Sequence, residues 1–380
     1  MKVFIIDISG KVLNYDYSLV KSLQKESVSE VILAAHVQDR SKYDGKRIDL
    51  VNLVPWKYKN SDHKLKRIAK AVEGICNYIV LLLYVLIKRP AVLHFQWFPF
   101  MEFCSVDNYY VALIKRLRPK QKIVLTVHNV FPHEMSQKGK AKYKERFVDV
   151  DKYIDHYIVH VNSSKIELER EFGVKQERVS VVPHGIFVPN YKRKRDYSNN
   201  GRNIIVYGNN SPYKGTDILL EAMQMMSEEE KKAIKLTIAG KMSDDYYQQL
   251  LTKAKGLNVE IIPSYIPDKK LYEMIDNADY IALPYRKISQ SGVLLLALYF
   301  RKPLLVSNLP SFVETLEGFT DDMFFESENS KSLKSLIERH INKCVDLGRQ
   351  LEAIEKLNKK YSWEESARKT SLIYEHVATN

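Results

Sequence analysis

The sequence predicts an α/β fold of two doubly wound units, and three observations carry that reading. Short apolar strands alternate with helical stretches through the first half of the chain. A polar, basic segment then interrupts the pattern, and the same alternation restarts behind it. The length, 380 residues, is more than one hydrophobic core ordinarily serves.

In chain order, residues 3–7 read as a strand, 16–24 as a helix and 31–35 as a second strand. Residues 63–88 form a long helical pattern with a basic first half. Its apolar run, 75–87, is broken by Asn77 and falls short of the roughly 20 residues a membrane span needs. A buried or interfacial helix is expected there. Strands follow at 91–95 and 123–127, with a helix at 108–116 between them, and then at 157–161 and 179–182. The N-terminal apolar run is cut by Asp7 and is too short for a signal peptide.

Residues 190–201, rich in Lys, Arg, Asn and Tyr, read as a linker. A nuclear-localisation or nucleic-acid patch is the alternative. Beyond it, strands are expected at 203–207, 235–239, 259–262, 280–283 and 304–307, with helices at 215–225, 244–253, 269–276 and 291–300. Residues 363–376 have helical spacing and can pack on either unit. The expected domains are 1–189 (with 363–380 packing back on it), a linker at 190–202, and 203–362. Open parallel sheets bind ligands beyond their strand C-termini, so a cleft between the units is the expected site.

Apolar residues make up 45% and charged residues 28%, which excludes a disordered chain. The three cysteines, Cys76, Cys104 and Cys344, are scattered and show no metal-ligand spacing, so a reducing cytoplasm is expected. The formal net charge of +13 points to an anionic partner: nucleic acid, phospholipid or a phosphorylated substrate.

Chemistry concentrates in a few stretches. In 206–222 a strand ends at Gly208, a polar turn follows, and a helix opens at Gly215 or Thr216, with Thr216 a candidate N-cap. A helix N-terminus suits a phosphate, and Lys214 adds a full charge. The bland alternative is a plain turn with a solvated lysine. In 283–293 a second strand leads to a helix start at Ser291-Gly292, with Val293 behind it and Arg286 and Lys287 ahead. Histidines follow presumed strand ends: His94-Phe95-Gln96-Trp97, His128-Asn129, His133 and His184. A lone histidine is more often structural than catalytic, but several at one sheet edge favour a polar site. Asp244-Asp245 reads as a first-turn contribution to a helix dipole. No metal-binding, Walker, nucleophile-elbow or dinucleotide motif is present.

Together these stretches resemble the family 4 glycosyltransferases of GT-B fold. The likeness runs through Val127-His128-Asn129, Val182-Pro183-His184-Gly185, Tyr213-Lys214-Gly215, Ile238-Ala239-Gly240, Leu283-Pro284, Ser289-Gln290-Ser291-Gly292 and Lys302 to Ser307. It implies two Rossmann-like domains facing a central cleft, with a nucleotide-sugar held by the second and the acceptor by the first. It implies a retaining, metal-independent transfer of a hexose-type sugar, with a UDP- or GDP-sugar as co-substrate and no further cofactor. By the match, Lys214 pairs with the diphosphate, and Ser291 and Gly292 offer it backbone N–H groups. Gly208, Gly215, Ser289, Gln290 and Val293 complete the donor side, while Tyr265 and Ile266 lie against the base and Gly10 approaches the phosphates or acceptor. His128, Lys214 and Gln290 form the implied catalytic set. His94, Gln96, Trp97, Asn129, His133 and His184 are the acceptor-side candidates.

Two departures stand out. Asn209, Asn210 and Ser211 occupy the stretch where the family usually carries an arginine. Gln290, and Leu296 or Ala297, stand near the family's paired glutamates. A leaving diphosphate develops negative charge, which Lys214 and two helix starts would stabilise in place of a metal ion. Basic clusters at 63–70, 115–122 and 138–146 suggest an anionic membrane surface. A lipid-linked or saccharide acceptor in bacterial polysaccharide or glycolipid synthesis is therefore expected, with the protein peripheral on the inner face of the cell membrane. The rival readings are a non-catalytic nucleotide-sugar-binding or partner subunit, a sugar-nucleotide epimerase, and nucleic-acid binding, for which no recognition module is visible.

Overall fold

In the computed structural model the chain forms two compact units, Met1–Gly185 with Ser362–Asn380, and Ile186–Tyr361. The structure describes residues 1–26, 30–37, 49–53, 63–132, 135–194, 202–288, 291–318 and 321–379.

The first unit begins with β1 (Lys2–Asp7), α1 (Leu13–Leu23), β2 (Glu30–His36), β3 (Asp49–Leu53) and α2 (His63–Lys88). It continues through β4 (Val92–Phe95), α3 (Val106–Leu117), β5 (Lys122–Thr126), α4 (Gln137–Asp151), β6 (His156–Val159), α5 (Asn162–Phe172) and β7 (Val179–Val181). The strands pair in parallel in the order β3-β2-β1-β4-β5-β6-β7. Val3 of β1 stands beside Val31 on one side and Val92 on the other. Helices cover both faces of such a sheet, which is why Val3, Phe4, Ile5 and Ile6 run apolar without alternation and are fully buried.

The second unit holds β8 (Asn203–Tyr207), α6 (Thr216–Gln224), α7 (Glu228–Ala233), β9 (Lys235–Ala239), α8 (Asp244–Lys253), β10 (Val259–Ile262) and α9 (Asp268–Asn277). Then come β11 (Tyr280–Leu283), α10 (Gly292–Phe300), β12 (Leu304–Ser307), α11 (Pro310–Thr315), β13 (Phe324–Phe325), α12 (Ser330–Ile341) and α13 (Leu347–Lys360). Its parallel sheet has the order β10-β9-β8-β11-β12-β13. The final helix, α14 (Trp363–Thr379), belongs to the first unit. It packs along α1, where Lys25 pairs with Glu364 at 3.1 Å and Ser366 Oγ donates to the Pro183 carbonyl.

The start of the expected linker, 190–194, belongs to the second unit. The Tyr191 hydroxyl and the Lys194 N–H both donate to Asp276, at 3.1 and 2.7 Å, and Tyr299 donates to the Tyr191 carbonyl. Residues 195–201 lie outside the described residues. Thr216 is not an N-cap. Gly215, in the left-handed region at φ 65°, fills that position, and Thr216 is the first helical residue. Its hydroxyl instead donates to Asn210 Oδ1 at 3.3 Å. Asp244 and Asp245 do occupy the first turn of α8, behind Ser243 as N-cap.

Both sheets reverse strand order once: between β1 and β4 in the first unit, and between β8 and β11 in the second. Such switch points are where open α/β sheets take ligands.

Candidate active site

In the second unit, three loops converge at the switch point. Gly208 ends β8 with φ +94°, and a β-carbon on it would lie 3.1 Å from Lys214 Nζ and 3.2 Å from the Val293 side chain. The neighbouring glycines are packed just as tightly. A β-carbon on Gly215 would lie 1.8 Å from the Pro284 carbonyl oxygen, and one on Gly240 2.1 Å from that of Gly208. Only bare α-carbons let β8, β9 and β11 bring their ends so close. Tyr207 ties the cradle to α10 by donating to the Val293 carbonyl at 2.7 Å. Ser291 is the N-cap of α10 and accepts from the Leu294 N–H at 3.1 Å. The first N–H groups of that helix are left for a ligand, and around Gly292 the nearest side chain, Phe187, would lie 3.9 Å from an added β-carbon.

Lys214 is 4% exposed, and no carboxylate pairs with it among the described residues. Burial holds its amine down at about 8. Its Nζ lies 5.3 Å from the Tyr285 ring centroid. Arg286, by contrast, is committed elsewhere. It grips both Asp217 oxygens at 2.9 and 2.7 Å, and its backbone N–H donates to the Tyr213 carbonyl. Asn210, where the family's arginine is expected nearby, is buried and braces the loop by donating to the Gly208 carbonyl. Lys214 is therefore the buried charge of this site. Tyr265 is 73% exposed, whereas Ile266 beside it packs into the core. Leu296 packs against that same core and Ala297 lies within it, so no polar group replaces a glutamate there. Ser289 and Gln290 lie outside the described residues.

In the first unit, the sheet's C-terminal edge carries a buried polar network. His94 Nε2 meets Thr126 Oγ1, and its Nδ1 meets the Tyr374 hydroxyl of α14, both at 2.6 Å. His128 Nε2 lies 3.3 Å from Gln96 Oε1, and its Nδ1 lies 3.1 Å from His160 Nε2. His160 Nδ1 faces the Val182 carbonyl at 2.9 Å, so it must carry a proton and donate. In the neutral pair, His128 then donates from Nδ1 and keeps its lone pair on Nε2. The Gln96 carboxamide, whose ends exchange by a half-turn, can meet that lone pair with an N–H. The Tyr15 ring closes the group, 4.9 Å from His128, 4.8 Å from His184 and 5.2 Å from Trp363.

Burial lowers every one of these histidines: His94 and His184 to about 3, His160 to about 4, and His128 well below its ordinary value. They are neutral at physiological pH. The network is a set of hydrogen-bonding groups that suits hydroxyls rather than phosphate. His128 opens onto a small cavity shared with Trp97, Glu102, Thr126 and Asn129. The Asn129 side-chain oxygen there has no hydrogen-bond partner among the described residues. Lys11 lies 3.5 Å over the Trp97 ring, and Gly10 begins the same loop at φ +62°. His133 lies outside the described residues.

The structure thus brings together Gly208, Lys214, Gly215, Ser291 and Val293 in one unit, and His94, Gln96, His128 and His184 in the other. Sequence reading missed His160, Tyr15, Asp7, Asp16 and Tyr374. Of these, only His160 carried a signal, as a polar residue near the end of the strand expected at 157–161. Among the described residues no group of three or more His, Cys, Asp or Glu side chains is arranged to hold a metal ion.

Comparison with known proteins gives matches along nearly the whole chain. The family description "Glycosyltransferase Family 4" matches residues 14–188, and "Glycosyl transferases group 1" matches residues 188–360. A GDP-mannose:glycolipid 4-beta-D-mannosyltransferase of Xanthomonas campestris pv. campestris is 22% identical over 234 residues, 58% of this chain. The match spans 62% of that relative's length. Among solved structures, a glycosyltransferase from Rickettsia africae ESF-5 superposes with a TM-score of 0.70 at 14% identity, covering 100% of this chain and 98% of that one. Anabaena Alr3699/HepE in complex with UDP-glucose does so with a TM-score of 0.70 at 13% identity, over 99% and 100%. At these identities the structures establish the fold.

Proposed function

Because the chain belongs to the family 4 glycosyltransferases of GT-B fold, we propose that it moves a hexose-type sugar from a UDP- or GDP-sugar to a lipid-linked saccharide acceptor, without a metal ion. One observation carries the donor side. Lys214 is a buried amine with no carboxylate beside it among the described residues, set against Gly208 and the start of α10. Burying a cation without a partner is costly, and a bound diphosphate supplies the missing charge. As the sugar–phosphate bond breaks, Lys214 and the N–H groups of α10 stabilise the charge that develops on the diphosphate. The neutral network around His128 orients the sugar by its hydroxyls.

The mannosyltransferase relative makes a GDP-sugar the first donor to test, and its glycolipid acceptor favours a lipid-linked one here. Retention at the anomeric carbon follows the family resemblance. Inversion is the second reading, because that relative's name specifies a β-linked product.

Calorimetric titration of the purified chain with UDP, GDP and ADP tests the donor reading. Binding of one nucleotide, and its loss in Lys214→Ala, is the expected result; equal affinity in the variant removes Lys214 from the site. Turnover unchanged by a chelator supports metal independence. The anomeric proton coupling of the product separates retention from inversion.

A further inference from the structure

Helices α2 and α3 lie side by side on one face of the first sheet. Tyr78 stacks on Tyr110 with ring centroids 3.9 Å apart, and Arg118 Nη1 donates to the Val85 carbonyl at 3.2 Å. Tyr78, Leu81 and Val85 of α2 share one buried core with Tyr110, Val111 and Ile114 of α3. A surface helix ordinarily presents polar residues on its opposite side. Here that side is apolar. Ile75, Ile79, Leu83 and Ile87 repeat every fourth residue along α2 and are 46%, 57%, 54% and 74% exposed. Tyr109, Leu113 and Leu117 repeat in the same way along α3, at 76%, 41% and 49%.

Residues Ala69–Lys88 are apolar and long enough to cross a membrane by composition. The helix does not leave the unit to do so, because Leu81 and Val85 are wholly buried in the core. An apolar outer row on a helix fixed by its inner row is the pattern of a helix lying in an interface. Exposed Lys88, Arg89, Arg116 and Lys120 cluster at the C-terminal ends of the two helices. Lys115 is excluded from this set because it pairs with Asp155 at 2.7 Å. A second copy of the chain, docked through the same face, would offer these cations no partner on α2 or α3, because Glu73 and Asp107, the acidic residues of the two helices, are buried. Anionic headgroups complement them.

We propose that the outer rows of α2 and α3 form an apolar docking face that inserts into an anionic lipid surface, with the cations at the helix ends set among the headgroups. This rests on the lipid-linked acceptor reading and adds the surface and the mode: charge attracts the protein, and apolar insertion holds it. The consequence is binding that survives salt. At about 0.5 M NaCl, attraction through charge alone is screened within roughly 4–5 Å.

The test is flotation of the full chain with phosphatidylcholine vesicles, with and without phosphatidylglycerol, at low and high salt. Ile79→Glu and Leu83→Glu are already exposed positions, and melting temperature checks their folding. The wild type is expected to float with the anionic vesicles and to stay bound at high salt, while each variant binds about tenfold more weakly or worse. Three results overturn the proposal: no flotation of the wild type, complete release at high salt, or wild-type binding by both variants. A wild-type dimer that the variants dissociate, with flotation unchanged, assigns the face to a second copy and also overturns it. Nucleotide affinity of the same samples is read separately. Its absence in the wild type fails the donor reading and leaves a lipid-binding face standing.

Discussion

Lys214 holds its ammonium against the bare α-carbon of Gly208: a β-carbon there would lie 3.1 Å from Nζ. Gly208 also sits at φ +94°, which side-chain-bearing residues rarely adopt. Gly208→Ala is therefore expected to cost about 1–2 kcal/mol of stability from the backbone, and to displace Lys214 or Val293. Nucleotide affinity should fall by about tenfold or more, as the diphosphate contact loses its geometry. Thermal melting and calorimetry read the two effects. Wild-type nucleotide affinity in a destabilised but folded variant would remove Lys214 from the phosphate contact.

The same lysine predicts a trade between stability and activity. Its amine is held at about 8, below the ordinary 10.5 of the unfolded chain. The unfolded chain therefore binds more protons between those values, so this group's contribution makes stability rise with pH from about 8 to about 10.5. At pH 7 the buried charge is a net cost. Lys214→Met should thus raise the stability of the nucleotide-free protein, on the order of 1–3 kcal/mol. It should also cut turnover by about a hundredfold. A variant that is both less stable and fully active would contradict both arms.

This site was legible in the sequence to the extent that it is local. Gly208, Lys214 and Gly215 lie within one strand–turn–helix, and the helix start at Ser291 within another. What sequence could not show are pairings between distant positions. Arg286, as open in sequence to a solvated role as to a phosphate contact, grips Asp217, 69 residues away. Tyr374 reaches His94 across 280 residues. The fold shows the same division. Residues 63–88 read as a helix because their apolar spacing is strong, and α2 has those bounds. Helix α4 read only as a basic cluster, since Tyr143, Phe147 and Val150 are the residues it buries. The edge strand β3 escaped notice because Asp49 and Asn52 interrupt its apolar run.

The buried histidines predict acid sensitivity. His94, His160 and His184 titrate near 3 to 4 in the folded chain, against 6.5 when unfolded. Below about 6.5 the unfolded chain takes up protons that the folded chain refuses, so stability falls as the pH drops towards 4. Each histidine should contribute on the order of 1–2 kcal/mol of that loss at pH 5. Urea midpoints at pH 7.5 and 5.0 measure it. His184→Phe keeps a ring beside Tyr15 and Trp363, and should flatten the dependence by one histidine's share. An unchanged slope would place the sensitivity elsewhere.

Asp7 and Asp16 are both fully buried, yet they predict opposite mutational outcomes. Asp7 anchors the loop after β1, accepting from Ser9 Oγ at 3.0 Å and from the Val12 N–H at 2.9 Å. Burial, followed by the Asp7 charge and a side-chain hydrogen bond with Asp7, raises the pKa of Asp16 well above the ordinary value. A protonated Asp16 is uncharged, whereas the unfolded chain ionises it above about 3.8, so its effect is to lower stability as pH rises through that value. Asp16→Asn keeps the shape and removes the proton linkage, and should stabilise the protein at pH 7.5 by about 1 kcal/mol or more. Asp7→Asn replaces one of the two acceptor oxygens that fix the Gly10 loop, and should cost about 1–3 kcal/mol. Chemical denaturation of both variants at pH 7.5 and 5.0 checks the contrast. Destabilisation by Asp16→Asn equal to that by Asp7→Asn would mean that Asp16 is held as a carboxylate.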